Sequence, residues 1–249
     1  MNDTNPMKSN EVKELVQEFA VAISINEINY AVMMCSPNDL DDFIVGFLFT
    51  EQVISHRYDI HDIDINIDRQ QYTAIINVVV ANRCLSELNE NNRQANGSAS
   101  CGICGVKALA QAMPTLMPLP LSTPPDSETL LAVKDDLTQW QTLAKDCGAM
   151  HAACLIKDGK IIACREDIGR HNALDKLIGY CINQQLKPSE LTILVSSRCS
   201  VELVNKTIIT KIPTLACLAS PSELAVNRAR QHNLNLIQVP KYDQPMIYS

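Results

Sequence analysis

The sequence predicts an α/β protein: a larger C-terminal domain with a mixed sheet and helices on both faces follows a smaller N-terminal α+β lobe. Three observations support this. Helical and strand-like patterns alternate from residue 126 to the C-terminus. Residues 18–88 have a strand-strand-helix-strand-strand pattern. Between these parts, residues 114–125 contain five prolines, which is typical of an extended linker. We therefore divide the chain into a polar tail (1–17), a lobe (18–88), a loop and linker (89–125) and a C-terminal domain (126–249).

The N-terminal lobe has two predicted hairpins around one helix. Residues 19–25 and 28–35 are strand-like and are joined by a turn. Residues 36–39, Ser-Pro-Asn-Asp, predict a helix start with Ser36 as its cap, because apolar residues at helical spacing follow. The alternation of isoleucine with polar residues around position 65 predicts a half-buried strand, and residues 72–80 are its expected hairpin partner.

The C-terminal domain begins with a predicted helix over residues 126–146. Two strands follow, at 150–157 and 160–165, joined by an Asp-Gly turn. The remaining elements alternate in type, and their predicted ranges are helix 171–184, strand 191–196, helix 200–210, strand 214–218, helix 221–232 and strand 234–239. This alternation predicts that the later strands are parallel.

Composition excludes several classes of protein. The net charge of −7 and the lack of a basic face argue against a general nucleic-acid binder. No secretory signal and no apolar run long enough to span a bilayer is visible, so we expect a soluble, cytoplasmic protein with mostly reduced thiols. Of the ten cysteines, Cys147 and Cys199 lie in loop-like segments and are left open. Six are expected to pack as small apolar side chains: Cys35, Cys84, Cys154, Cys164, Cys181 and Cys217.

The most informative motif is Cys101-Gly102-Ile103-Cys104-Gly105, directly before a predicted helix over residues 106–113. A helix start carries partial positive charge, which lowers the pKa of a nearby thiol and favours the thiolate. The glycines leave room for a large partner to approach Cys101. Two thiols at this spacing are compatible with a redox pair, with half of a zinc site, or with a sulfur-carrying nucleophile.

Two charged loops follow neighbouring predicted strands. In the first, Arg165, Arg170 and His171 are candidates for holding phosphate or another anion. The carboxylates of its acidic pair, Glu166 and Asp167, would accept hydrogen bonds from sugar hydroxyls or form ion pairs with the arginines. The alternative for this loop is a charged surface turn with a helix-capping role.

The second loop, residues 196–200, places Arg198 among serines at a helix start, where either an anion or a simple Ser cap is compatible. His151 is either a packed histidine or a catalytic one. Lys241, after the last strand, is either solvated or reaches the same edge of the sheet.

Together these segments resemble the FdhD/NarQ family, the formate dehydrogenase accessory sulfurtransferases. The resemblance covers roughly residues 18–249, and the stretch from Gly169 to Lys176 is its most specific part. The matching stretches are residues 36–40 with Gly46, Phe47, Leu48 and Glu51; residues 101–105; residues 151–153; residues 166–176; residues 196–198 with Ser200, Glu202 and Lys206; and residues 221–222 with 224–226.

The resemblance implies a sulfurtransferase that accepts sulfur from a cysteine desulfurase as a persulfide on Cys101. It would pass this sulfur to the molybdenum cofactor, bis(molybdopterin guanine dinucleotide), before insertion into formate dehydrogenase. Cys104 would release the sulfur as a Cys101–Cys104 disulfide forms, or help to position it. The resemblance also implies a cytidine-deaminase-like, three-layer α/β/α C-terminal domain and a homodimer.

The same resemblance places a cofactor-binding stretch at the C-terminus. It consists of Val239, Pro240, Lys241, Tyr242, Asp243 and Gln244. This chain departs from the family pattern at two positions of the stretch. It has Val239 where we expect Phe, and Gln244 where we expect a terminal basic residue. The cofactor is anionic, which gives a reason for basic residues in an acidic chain: Arg165, Arg170, Arg198, Lys206 and Lys241.

Two other functions stay open. One is a non-catalytic chaperone that holds the cofactor without moving sulfur. The other is a zinc deaminase on the same fold, which needs H-x-E followed by P-C-x-x-C. Here residues 151–153 are His-Ala-Ala, without the Glu, and the double-cysteine motif precedes them. No permanent metal is therefore expected.

Overall fold

The computed structural model describes residues 15–85, 113–148 and 150–249. Most of the predicted helix over 106–113 lies outside these ranges. The described helices are all too short or too polar to cross a bilayer.

The N-terminal lobe is a four-stranded sheet packed on one helix. Its elements are β1 (Phe19–Ile25), β2 (Ile28–Cys35), α1 (Leu40–Thr50), β3 (Ile60–Asp68) and β4 (Thr73–Val80). The strand order is β2-β1-β4-β3, with β1 and β4 parallel and the other pairs antiparallel. Alternate residues of β1 and β4 are buried against α1, so the predicted two hairpins around a helix are confirmed.

The start of α1 differs from the expected Ser cap. The helix begins at Leu40, after Asp39 in the left-handed conformation (φ 54°), and no side chain caps it. Ser36 instead contacts the C-terminal domain: its Oγ accepts a hydrogen bond from the Ile168 N–H (3.2 Å). The prediction was wrong because a long-range partner, invisible to local sequence, uses the serine hydroxyl.

The C-terminal domain contains five helices and six strands among the described residues. They are α2 (Ser127–Trp140), α3 (Thr142–Cys147), β5 (His151–Lys157), β6 (Lys160–Asp167), α4 (Arg170–Asn183), β7 (Thr192–Arg198), α5 (Val201–Ile209), β8 (Thr214–Ala219), α6 (Glu223–Gln231), β9 (Asn235–Gln238) and β10 (Met246–Ile247).

These strands form one mixed sheet in the order β10-β9-β8-β7-β5-β6. Strands β7, β8 and β9 are parallel, and the remaining pairs are antiparallel. Helices α4, α5 and α6 pack on one face, while α2 packs on the other. The predicted mixed sheet with helices on both faces is confirmed, and its likeness to cytidine deaminases stays a prediction.

Two elements were not predicted. The expected single helix over 126–146 is broken at Gln141 into α2 and α3. The carboxylate of Glu166 accepts hydrogen bonds from the N–H groups of Leu143 (2.8 Å) and Ala144 (3.0 Å), so it stabilises a new helix start. Strand β10 has two residues, too few for a periodic pattern, and its pairing with β9 defines it.

The two lobes meet where α1 crosses α4, and two glycines allow the contact. A Cβ at Gly46 would lie 1.8 Å from the backbone oxygen of Asp175, and one at Gly179 would lie 1.8 Å from that of Asp42. Only glycine permits backbones to approach so closely. Helix α1 of the N-terminal lobe is therefore in direct backbone contact with α4, the helix that follows β6.

The proline-rich segment over 114–125 has no helix or strand, as expected for an extended linker. It nevertheless packs on the C-terminal domain. Leu119 is buried, and its N–H donates to the carbonyl of His232 (2.8 Å). The proposed division into domains at this segment remains a prediction.

Candidate functional site

The topology of the C-terminal sheet places most of the predicted site residues at one edge. The parallel strands β7, β8 and β9 end at this edge, and the antiparallel neighbours bring the start of β5 and the end of β6 to it. Ligands of α/β proteins usually bind at such an edge. We call it the carboxyl edge; it includes His151, residues 168–171, Arg198 and residues 239–244.

Arg170 is the strongest candidate for holding an anion at the carboxyl edge. It is the first residue of α4, a helix of 14 residues whose N-cap, Gly169, offers no side chain to the free N–H groups. Its Nε atom is buried and has no hydrogen-bond partner among the described residues. A buried unpaired donor is unfavourable, so a phosphate or carboxylate oxygen at this position would stabilise it.

Two histidines flank Arg170. Burial and the positive charge of Arg170 lower the pKa of His151, against the opposing charge of Asp167. Burial also lowers the pKa of His171, although Glu202 acts in the opposite direction. The Nε2 atom of His171 lies 2.7 Å from a carboxylate oxygen of Glu202 and 3.5 Å from the Ser200 hydroxyl.

The remaining edge residues differ in exposure. Arg198, at the end of β7, is exposed. Val239 is fully buried, and its N–H donates to the carbonyl of Cys217 (2.8 Å), so it anchors the stretch that follows. Pro240 is half-buried, and four exposed residues continue the chain: Lys241, Tyr242, Asp243 and Gln244. The ammonium of Lys241 lies 5.1 Å from the centroid of the Tyr242 ring.

Two predicted cofactor contacts, Arg165 and Lys206, lie between the lobes instead. Arg165 donates twice to one carboxylate oxygen of Asp42 (2.9 and 2.6 Å), and its guanidinium lies 4.6 Å above the Tyr180 ring. Lys206 donates to both oxygens of Asp175 (2.9 and 2.8 Å) and, across the junction, to the hydroxyl of Thr50 in α1 (2.9 Å). These contacts give both residues a role in holding the lobes together, and their part in cofactor binding stays untested.

The acidic pair after β6 is also engaged inside the protein. Glu166 caps α3, as described above. Asp167 accepts hydrogen bonds from the N–H groups of Ser36 (2.9 Å) and Gly169 (2.8 Å) and pairs with Lys176. Neither carboxylate pairs with the arginines of its loop in the described residues, so that part of the sequence interpretation was wrong.

Sequence reasoning assigned no role to Asp42, Thr50 or Asn172, which contact these charged groups. Asp42 accepts from Arg165, the Thr50 hydroxyl donates to Asp175 (2.8 Å), and the Asn172 amide donates to Asp167 (3.0 Å). The sequence does contain a signal for Asp42. It is a charged residue beside Phe43 and Ile44 in the apolar stretch of α1, and a buried carboxylate needs a partner.

The double-cysteine pair, Cys101 and Cys104, lies outside the described residues. The described cysteines are all free thiols, and Cys35, Cys84, Cys154, Cys181, Cys199 and Cys217 are buried. Burial raises the pKa of Cys35 and of Cys217 to about 12. Burial also raises the pKa of Cys199, at the carboxyl edge, so this thiol is protonated at neutral pH. Cys164 and Cys147 are half-buried, and the Cys147 thiol donates to the Leu143 carbonyl.

Within the described ranges, no three His, Cys, Asp or Glu side chains are arranged to bind a metal ion. The carboxyl edge is instead suited to an anion: it combines Arg170, a helix start, and the exposed charges of Arg198 and Lys241. An exposed aromatic ring, Tyr242, lies beside Lys241 and offers a surface on which a base could stack.

Comparisons with known proteins agree on one relationship. The sequence profile of the FdhD/NarQ family matches residues 16–249. The chain is 35% identical over 236 residues to the sulfur carrier protein FdhD of Bordetella bronchiseptica, covering 94% of this chain and 85% of that protein. It is 34% identical over 242 residues to the sulfur carrier protein FdhD of Acinetobacter baylyi, covering 94% and 86%.

A solved structure has the same fold. The crystal structure of a Desulfotalea psychrophila protein, assigned as a formate dehydrogenase accessory protein, superimposes with a TM-score of 0.70 at 21% identity. The match covers 94% of this chain and 88% of that one. On these grounds the chain belongs to the FdhD/NarQ family.

Proposed function

We propose that this protein is a sulfur carrier in the maturation of a formate dehydrogenase. It accepts sulfur from a cysteine desulfurase as a persulfide on Cys101 and transfers it to the molybdenum cofactor, bis(molybdopterin guanine dinucleotide). The observation that carries the proposal is the similarity, over 94% of the chain, to proteins named sulfur carrier protein FdhD. The two thiols of residues 101–105 supply the chemistry that such a function needs.

The loading step is a thiol exchange. The Cys101 thiolate attacks the terminal sulfur of the persulfide on the desulfurase, and a new sulfur–sulfur bond forms on Cys101. The sulfur–sulfur bond of the donor breaks, and its cysteine leaves as a thiolate. No electrons are gained or lost by the pair of proteins, so this step requires no other oxidant or reductant.

The delivery step changes the oxidation state of the sulfur. The Cys104 thiolate attacks Sγ of Cys101, which forms a Cys101–Cys104 disulfide and releases the terminal sulfur as sulfide to the cofactor. The two thiols supply the two electrons that the sulfur takes up. A thiol reductant then restores the pair for the next cycle. In the alternative, Cys104 only positions the persulfide.

The carboxyl edge is the proposed binding site for the cofactor, which is the substrate of the reaction. Its pyrophosphate groups suit the unpaired donor of Arg170 at the start of α4. The exposed side chains of Arg198 and Lys241 add positive charge, and His171 and Tyr242 add a proton donor and a stacking surface. Val239 and Pro240 anchor this stretch, and Asp243 and Gln244 extend it.

The test is persulfide formation. The full-length protein is incubated with a cysteine desulfurase and cysteine, and its intact mass is measured under non-reducing conditions. We expect the mass of one added sulfur atom, lost in Cys101→Ala and kept in the matched control Cys147→Ala. If the wild-type protein stays unmodified, the non-catalytic cofactor chaperone is favoured.

The resemblance to the family also extends the proposal to a homodimer and to a cytidine-deaminase-like C-terminal domain. Analytical ultracentrifugation of the wild-type protein tests the first of these. A mass equal to one chain at all concentrations would contradict it.

A further inference from the structure

The negative charge of this protein is concentrated in its N-terminal lobe. Residues 15–85 contain ten Asp and Glu residues but three Arg and no Lys, a formal charge of −7. The whole chain has the same net charge of −7. The lobe therefore carries a strong negative field, whereas the rest of the chain is neutral on balance.

One face of the N-terminal sheet is apolar and uncovered. Helix α1 packs on the inner face, and none of the described helices packs on the outer one. Val32 is 67% exposed, Ile75 50% and Met34 49%. Ala22 lies between Val32 and Ile75 in the strand register, and Ala20 lies beside Met34, so these side chains are adjacent across β2, β1 and β4. We call these five residues the outer-face patch.

A row of carboxylates borders the outer-face patch on the edge strand β3. Asp62, Asp64 and Asp68 are exposed and lie opposite Val79, Asn77 and Thr73 of β4. None of the three forms an ion pair with a Lys, Arg or His of the described ranges: Asp64 accepts from Asn77, and Asp68 accepts from backbone N–H groups. We call these three residues the acidic row.

An apolar centre bordered by unpaired charge of one sign is typical of a surface that binds a protein of the opposite charge. The apolar centre contributes affinity by burial, and the acidic row contributes rapid, salt-dependent association. A sheet face with this composition accommodates a helix whose apolar side is flanked by Lys and Arg.

We propose that the outer-face patch and the acidic row bind a basic, amphipathic surface of the enzyme that delivers sulfur to Cys101. This inference rests on the proposed function. Two observations favour the donor over the cofactor. The chain that bears Cys101 leaves the described structure at Leu85, shortly after β4 of this same sheet. The proposed cofactor site lies on the other sheet, so both partners have a surface of their own.

The experiment measures the affinity of a cysteine desulfurase for the full-length protein by biolayer interferometry. Val32→Asp/Ile75→Asp should raise Kd about tenfold or more, because it places charge in the apolar centre. Asp62→Lys/Asp64→Lys should raise Kd to a similar extent and weaken its dependence on NaCl concentration. The matched control is Leu121→Asp, since Leu121 is 86% exposed and lies in the linker on the other domain.

Two further measurements separate docking from folding and from sulfur chemistry. Val32→Thr/Ile75→Thr keeps β-branched side chains, so it should fold normally and still bind more weakly. Persulfide loading by inorganic polysulfide requires no docking and should be normal in every variant. If polysulfide fails to load Cys101 in the wild-type protein, the proposed function is wrong, but the affinity measurements still test the surface.

Unchanged desulfurase affinity in both double variants would overturn the inference, as would failure of the wild-type protein to bind the desulfurase. A wild-type dimer that Val32→Asp/Ile75→Asp converts to a monomer, with no loss of desulfurase binding, would assign the face to self-association instead.

Discussion

Lys176 and Asp167 form an ion pair that is fully removed from solvent, with 2.6 Å between Nζ and the carboxylate oxygen. Lys176 also donates to the carbonyl of Ser36 (3.0 Å), and Asp167 accepts from the N–H of the same serine (2.9 Å). The pair thus joins β6 and α4 of one domain to the segment that enters α1 of the other. A buried charge needs such compensation, because an unpaired one is strongly unfavourable.

Removing the lysine charge should therefore destabilise the protein severely. Lys176→Met leaves Asp167 buried without its partner, and we expect a loss of about 3–5 kcal/mol in the free energy of unfolding. Urea denaturation monitored by circular dichroism measures it. The control is Lys187→Met: Lys187 is exposed and pairs with Glu190 on the surface, so the expected change is below about 1 kcal/mol. Similar losses in both variants would contradict the role of the buried pair.

The close crossing of α1 and α4 predicts that replacing a helical glycine by alanine lowers the free energy of unfolding, whereas the same replacement usually raises it. In an open helix, Gly→Ala stabilises by up to about 1 kcal/mol. At Gly46 the new Cβ would lie 1.8 Å from the Asp175 carbonyl oxygen, so the helices must separate. We expect Gly46→Ala to destabilise by about 2 kcal/mol or more.

The control is Asp41→Ala, an exposed position of α1 at which no backbone is crossed. It should change the free energy of unfolding by less than about 0.5 kcal/mol. A Gly46→Ala protein that melts at or above the wild-type temperature would show that α1 and α4 do not approach so closely.

The fold could be predicted further than the site. The alternation of strands and helices after residue 126 follows from local periodicity, and the structure confirms it element by element apart from the break at Gln141 and the short β10. Local sequence could not show that Ser36 and Glu166 cap distant groups, or that Arg165 and Lys206 are engaged by Asp42 and Asp175. Each of these contacts joins residues that are distant in sequence, and a charged side chain has the same local pattern whether its partner is a ligand or a carboxylate.

Stability should fall on mild acidification because of the histidines at the carboxyl edge. In the folded protein the pKa values of His151 and His171 lie below the ordinary value, since burial and Arg170 disfavour their charged forms. The unfolded chain therefore binds more protons, and stability is complete above about pH 6.5 and is lost as the pH falls below it.

The melting temperature of the wild-type protein, measured between about pH 7.5 and 5.5, should decrease more steeply than that of His151→Gln/His171→Gln. Carboxylates with ordinary pKa values change little in this range, so the difference isolates the two histidines. Adding GDP, a probe for the cofactor's nucleotide, should reduce the acid sensitivity of the wild-type protein, because its phosphates compensate the new positive charges. Equal slopes for the wild type and the double variant would exclude the histidines as the cause.

Arg170 and Arg165 provide the sharpest test of which charges face a ligand. Both belong to the same loop motif in sequence, but the Nε of Arg170 has no partner among the described residues, whereas Arg165 donates twice to Asp42. We expect Arg170→Ala to weaken GDP binding about tenfold or more with little change in melting temperature, because it removes a donor held for a ligand. Arg165→Ala should instead lower the melting temperature, because it leaves Asp42 without its main partner, and should leave the GDP affinity of the folded protein unchanged. Isothermal titration calorimetry and thermal unfolding on the same samples give both quantities. The reverse pattern, with affinity lost in Arg165→Ala and stability lost in Arg170→Ala, would move the anion site from the carboxyl edge to the junction between the lobes.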